Sequence, residues 1–171
     1  MKDKAKTTAF LGLCTALALI LAYVEVLLPP LFSSVPGIKM GLPNIIIILL
    51  LYRRSARSAA LVSLLRIALV TMLFSNLMAL LYSLAGAILS LVVMILLRRF
   101  NILSTVGVSV AGGVSHNVGQ IIMAMVLLDT TELGYYLAVL TVTGVVAGVV
   151  IGICGSILIK RIPYNFGFFN K

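Results

Sequence analysis

The sequence has no tryptophan, one histidine, two cysteines and only four acidic residues among 171. Each scarcity excludes a class of chemistry. Asp3, Glu25, Asp129 and Glu132 lie far apart along the chain. No aspartate-rich cluster exists to hold Mg²⁺, which needs several converging oxygen ligands. His116 has no nearby cysteine or carboxylate in sequence, so a zinc site is not expected. Cys14 and Cys154 sit inside apolar runs and read as small buried hydrophobes, not as a redox or metal motif. No Walker A glycine loop is present, which excludes ATP hydrolysis by this chain. No Ser-His-acid arrangement is evident. The chain is therefore not expected to be an enzyme, and no cofactor is expected.

What is abundant is apolar surface. Hydrophobic residues make up 62% of the chain, charged residues 10%, and the mean hydropathy is +1.23. A soluble domain is about half apolar and about a quarter charged. A chain this apolar cannot cover itself with polar groups in water, and lipid is the solvent that fits. The net charge of +9 does not indicate nucleic acid. The basic residues form short clusters between apolar runs, where they orient helices in a membrane, and no basic face of a soluble helix results.

The apolar runs predict an all-α polytopic membrane protein, a six-transmembrane-helix bundle forming a single transmembrane domain over 1–171. Spans are expected near 8–28, 37–52, 58–75, 77–97, 104–128 and 133–159. The first follows Lys2, Lys4 and Lys6 and resembles a signal peptide, but Tyr23-Val24-Glu25 makes a poor cleavage site, so it reads as a retained span. Pro29 and Pro30 stop it. The uncharged stretch 58–97, interrupted only by Arg66, is too long for one helix and is broken near Phe74-Ser75-Asn76. With the N-terminus inside, eleven of thirteen basic residues fall on the inner side. The outer loops hold Asp129 and Glu132. The positive-inside rule then places both termini in the cytoplasm.

Helices in lipid associate where small residues let backbones approach. Gly144, Gly148, Gly152 and Ser156 form one such stripe, and Ala111, Ser115 and Gly119 another. On the first span, Gly12 with Ala16 and Ala18 with Ala22 either pack within the bundle or dock a partner membrane protein.

Polar groups inside a membrane cost several kcal/mol unless they pair or face a cavity, about 2.5–3.5 on insertion scales. Arg66 cannot shed its proton, so it needs carbonyls, an anion or a wet cavity. Glu25 and Lys39 lie at neighbouring span ends and either pair or line an outward-facing pocket, with Asn44 one turn deeper. His116 and Gln120 share a helix face, with Asn117 adjacent and glycines on both sides. The histidine is either a hydrogen-bonded structural group or a ligand of the bound molecule. A continuous aqueous pore is improbable, given so little polarity.

Four segments carry a family resemblance: Pro36-Gly37-Ile38-Lys39-Met40-Gly41-Leu42-Pro43-Asn44, Leu65-Arg66-Ile67, the stretch from Tyr82 to Ser90, and Ser115-His116-Asn117-Val118-Gly119-Gln120. Together they resemble the bacterial family labelled Gx transporter or heptaprenyl diphosphate synthase component I. That family is similar to the substrate-binding S components of energy-coupling-factor (ECF) transporters. The resemblance implies a six-helix protein of the bacterial cytoplasmic membrane, surrounded by lipid. It implies uptake of a small anionic, prenylated or vitamin-like molecule, and the polar residues Glu25, Lys39, Asn44, Arg66, His116, Asn117 and Gln120 are those expected to hold it. It also implies an ECF coupling protein with two ATPases as partners, met through Gly12, Ala16, Ala18 or Ala22. A second expectation is a non-catalytic accessory subunit in isoprenoid or quinone biosynthesis or flavin-based extracellular electron transfer.

Overall fold

The computed structural model describes residues 2–27, 41–74 and 76–162. Among these the chain is all-α. Six α-helices follow in order: α1 Lys2–Leu27, α2 Asn44–Arg53, α3 Ala56–Phe74, α4 Leu77–Arg99, α5 Thr105–Leu128 and α6 Tyr136–Arg161. A short 3₁₀ turn, Glu132–Tyr135, leads into α6.

Five helices are long and apolar enough to cross a membrane, and α2 is the exception. Its ten residues rise about 15 Å, half of the roughly 30 Å of hydrocarbon. The sequence predicts a span from near Gly37. Of that stretch, residues 37–40 lie outside the described residues. Gly41 takes a left-handed φ of +74°, which a helix cannot contain, and Pro43 caps the helix start. The helix therefore begins at Asn44.

Local signals account for the other boundaries. The Asn76 side chain accepts a hydrogen bond from the Ala79 backbone N–H at 2.9 Å, opening α4. Ser104 caps α5 through the Gly107 N–H at 3.3 Å. Asp129 ends α5 in a left-handed conformation, φ 48°, a common helix terminator. The Ser55 hydroxyl oxygen accepts from the Ser58 N–H at 3.1 Å at the head of α3.

Side chains on most helices divide into a covered face and a bare apolar one. Leu13, Met72, Leu77, Val126 and Val142 are among many large apolar residues left exposed. In water such a surface would be a liability, and in lipid it is the required exterior. The structure is that of a multi-pass membrane protein. In α2, Ile46 through Leu51 are all buried, so this helix is apolar all round and runs through the centre of the bundle.

The closest packing joins α5 to α6 and to α4. A Cβ on Gly148 would lie 2.5 Å from the Cα of Val110, and one on Gly113 would lie 2.6 Å from the carbonyl oxygen of Gly144. On the other side of α5, a Cβ on Gly119 would come within 2.8 Å of the Ala85 carbonyl oxygen. Backbones here touch directly, as small residues in membrane helices allow.

Charge separates the two ends of the bundle. At the basic end Arg53 donates to the carbonyls of Ile159 and Ile162, the latter at 2.8 Å. Arg54 donates to the Thr7 hydroxyl at 2.9 Å, and Arg98 donates to the Tyr52 carbonyl at 3.3 Å. Arg53 and Arg98 meet helix C-termini, where the exposed carbonyls favour positive charge. The opposite end carries Asp129 and Glu132. There the rings of Tyr23 and Phe74 stack at 5.4 Å, closing α1 against α3.

Candidate functional site

Helix α1 brings Glu25 to the end away from the arginines. Its carboxylate accepts a hydrogen bond from the backbone N–H of Gly41. That contact anchors the turn leading into α2 beside α1 and places Asn44 at the mouth of an internal cavity. Arg66 of α3 enters from one side. His116, Asn117 and Gln120 enter from α5. All six of these sequence-derived candidates line the same cavity, of about 110 Å³. Lys39, the seventh, lies outside the described residues, as does any pairing with Glu25.

All six helices contribute to the cavity's wall, α1 through Ala22 and Glu25. Beyond the six candidates, its polar lining includes Thr71, Ser83, Ser90 and Ser109. The sequence does not mark these four as site residues. Serine and threonine within helices ordinarily satisfy themselves on the preceding turn's carbonyl, as Ser115 does on Ala111 at 2.7 Å. In an apolar run they give little signal. Gly86 was also hard to recognise from sequence alone: a Cβ there would meet the His116 carbonyl oxygen at 2.7 Å and the Gln120 Cγ at 2.9 Å. Its bare backbone lets the His116–Gln120 face press against α4.

The roles of the candidates diverge. Asn117 donates through Nδ2 to the Leu140 carbonyl at 2.6 Å, so it ties α5 to α6 as well as lining the cavity. Arg66 is different. Its Nε is buried and has no hydrogen-bond partner among the described residues. An unmet guanidinium donor in a low-dielectric interior is costly. The Glu25 carboxylate acts on this guanidinium electrostatically. A space of this size admits several ordered waters or one small polar group.

The small-residue pairs of α1 separate. Ala18 and Ala22 are buried, 0% and 6% exposed, and pack inside the chain. Gly12 and Ala16 are exposed on the other face, and a Cβ on Gly12 would meet nothing within 4 Å. No group of three or more histidine, cysteine or acidic residues comes together among the described residues.

A helical bundle with a lipid-facing exterior and a polar cavity walled by all six helices defines the class: a membrane subunit with an internal cavity. The chain belongs to the family described as heptaprenyl diphosphate synthase component I, whose model matches residues 14–158. No curated protein and no solved structure matches the chain significantly.

Proposed function

We propose that this chain is the substrate-binding subunit of an ECF-type uptake system, holding a small molecule in the cavity around Arg66. Arg66 carries the reading: its side chain lines a polar cavity inside an otherwise apolar bundle, and its buried Nε has no hydrogen-bond partner among the described residues. Such a donor is kept in a membrane interior when it works or is satisfied by a bound group. Glu25, Asn44, His116, Asn117 and Gln120 complete the site, with Lys39 expected nearby. Both termini are cytoplasmic and the chain crosses six times, the short α2 completing its crossing with the turn before it. Contacts of Gly41 with Glu25 and of Arg54 with Thr7 support that path. The ligand then enters from the outer, acidic end. Partner contact falls to Gly12 and Ala16, the exposed pair.

Native mass spectrometry of the gently solubilised protein tests this. A retained small molecule, lost on Arg66→Ala or His116→Ala, is expected, together with a coupling protein and two ATPases. Unchanged retention in both variants refutes the site.

The family's description favours a second reading, a non-catalytic accessory subunit of prenyl diphosphate, quinone or flavin electron-transfer chemistry. Co-purification with a prenyltransferase or electron-transfer subunit, without ATPases, would select it.

A further inference from the structure

We propose that a recess at the basic end, between the ends of α2 and α4, holds the phosphate of an anionic phospholipid. The recess measures about 520 Å³, and its lining includes Tyr52, Ala56, Ile95, Arg98, Arg99 and Asn101. It shares no residue with the cavity around Arg66. Two contacts with one residue hold Arg98 in place. Its guanidinium carbon lies 5.2 Å from the centre of the Tyr52 ring, and its Nη2 donates to the Tyr52 carbonyl at 3.3 Å. A guanidinium has five N–H donors, and this bond uses one. Arg99 beside it is exposed. Asn101 follows α4 in the left-handed region, φ 52°, and brings an amide donor to the recess. Guanidinium groups suit phosphate oxygens, and basic pockets between membrane helices take anionic lipid headgroups.

The sign of the charge at this end holds for the whole chain. Of its four acidic residues, Glu25, Asp129 and Glu132 belong to the other end, which leaves Asp3 among Lys2, Lys4 and Lys6. Residues 163–171 add Lys171 and no acidic side chain. Depth agrees. The 23 residues of α4 rise about 35 Å against about 30 Å of hydrocarbon, so Arg98 and Arg99 in its last turn reach the headgroup level. The recess also borders the lipid-facing side of α4, which favours a lipid over a water-soluble phosphate. Ile88, Val92, Leu96 and Phe100, spaced four apart, are 57%, 48%, 48% and 66% exposed and form an apolar track along that helix. Ile95 and Arg99, both in the recess, form the adjoining row. An acyl chain lying on the first row brings its phosphate to the arginine of the second.

The test titrates the full chain, in a neutral detergent, with phosphatidylglycerol and with phosphatidylcholine of the same acyl chains, and native mass spectrometry counts the lipid bound. The choline cation competes with the arginines, so phosphatidylglycerol is expected to bind roughly tenfold more tightly or better. Arg99→Gln is expected to cut that preference about fivefold, equivalent to ~1 kcal/mol, and Arg98→Gln to cut it by at least as much. Arg99 is exposed, so its variant carries the test if Arg98→Gln does not fold. Arg161→Gln makes the same charge change at the same end on a residue outside the recess, and is expected to shift the preference by less than about twofold. The soluble headgroup, sn-glycerol 3-phosphate, is expected not to displace the lipid. Equal binding of the two lipids would overturn the proposal, as would a preference that survives Arg99→Gln. Equal losses from Arg99→Gln and Arg161→Gln would overturn it in favour of diffuse charge attraction. Displacement by glycerol phosphate would overturn it in favour of a soluble phosphate ligand.

Discussion

Substituting Gly148 by alanine tests how tightly the wall of the cavity is built. The added Cβ would sit 2.5 Å from the Cα of Val110 and 3.0 Å from both the Val110 nitrogen and the Ser109 carbonyl oxygen. All three are backbone atoms of α5, so no side chain can swing aside. Carbon atoms settle at about 3.5–4.0 Å, so α5 and α6 must part by roughly 1 Å at this level. The neighbouring approach of Gly113 to Gly144 loosens with them, and the Asn117–Leu140 hydrogen bond lengthens. Overpacking costs about 1–3 kcal/mol, and the rigid obstacle here places this case near 3. For a chain of this length that lowers the unfolding midpoint by roughly 6–12 °C. Cys14 is buried and Cys154 only partly so, and in a Cys154→Ser background a thiol-reactive fluorogenic dye reports unfolding through Cys14. Gly12→Ala is the control. It meets open space, and alanine's better helix propensity stabilises by up to about 1 kcal/mol. Equal midpoints for the two variants would refute the packing argument.

Arg53→Ala removes the donors that hold the Ile159 and Ile162 carbonyls, unfastening α2 from the end of α6. A loss of about 1–2 kcal/mol is expected, read as a lower midpoint in the same dye assay. Asn117→Leu costs less, about 0.6 kcal/mol, because the Leu140 carbonyl keeps the Thr143 hydroxyl at 3.0 Å as a donor. Its midpoint should fall by no more than a few degrees. Ile47→Ala opens a void beneath α2, where Ile47 is 1% exposed, and should lower stability by about 2–5 kcal/mol in the same measurement.

Much of the fold is legible in the sequence because lipid imposes one dominant rule: long uncharged runs become helices. The breaks are legible where a polar residue does a definite job, as Asn76 does in capping α4 and Asp129 in ending α5. The start of α2 is harder. Pro43 is compatible with an early helix position, so the sequence alone allows the helix to begin well before it. The positive φ of Gly41 depends on its contact with Glu25, sixteen residues away, and no local pattern encodes that. The polar candidates were found because each is anomalous in an apolar helix. Their convergence is not readable, since it depends on how six helices rotate against one another. The division on α1, with Ala18 and Ala22 inward and Gly12 and Ala16 outward, is fixed the same way. Both pairs have the same spacing, and only packing tells them apart.

The central claim is that a wet, polar space opens among these helices from the acidic end. Cysteine placed at Ser83, a cavity residue, in a chain lacking Cys14 and Cys154 measures it most directly. A small, membrane-impermeant thiol reagent added to intact cells should modify Ser83→Cys and leave Ile88→Cys, on the lipid-facing side of the same helix at 57% exposure, untouched. An unreactive Ser83→Cys, or equal labelling at the two positions, would contradict the account.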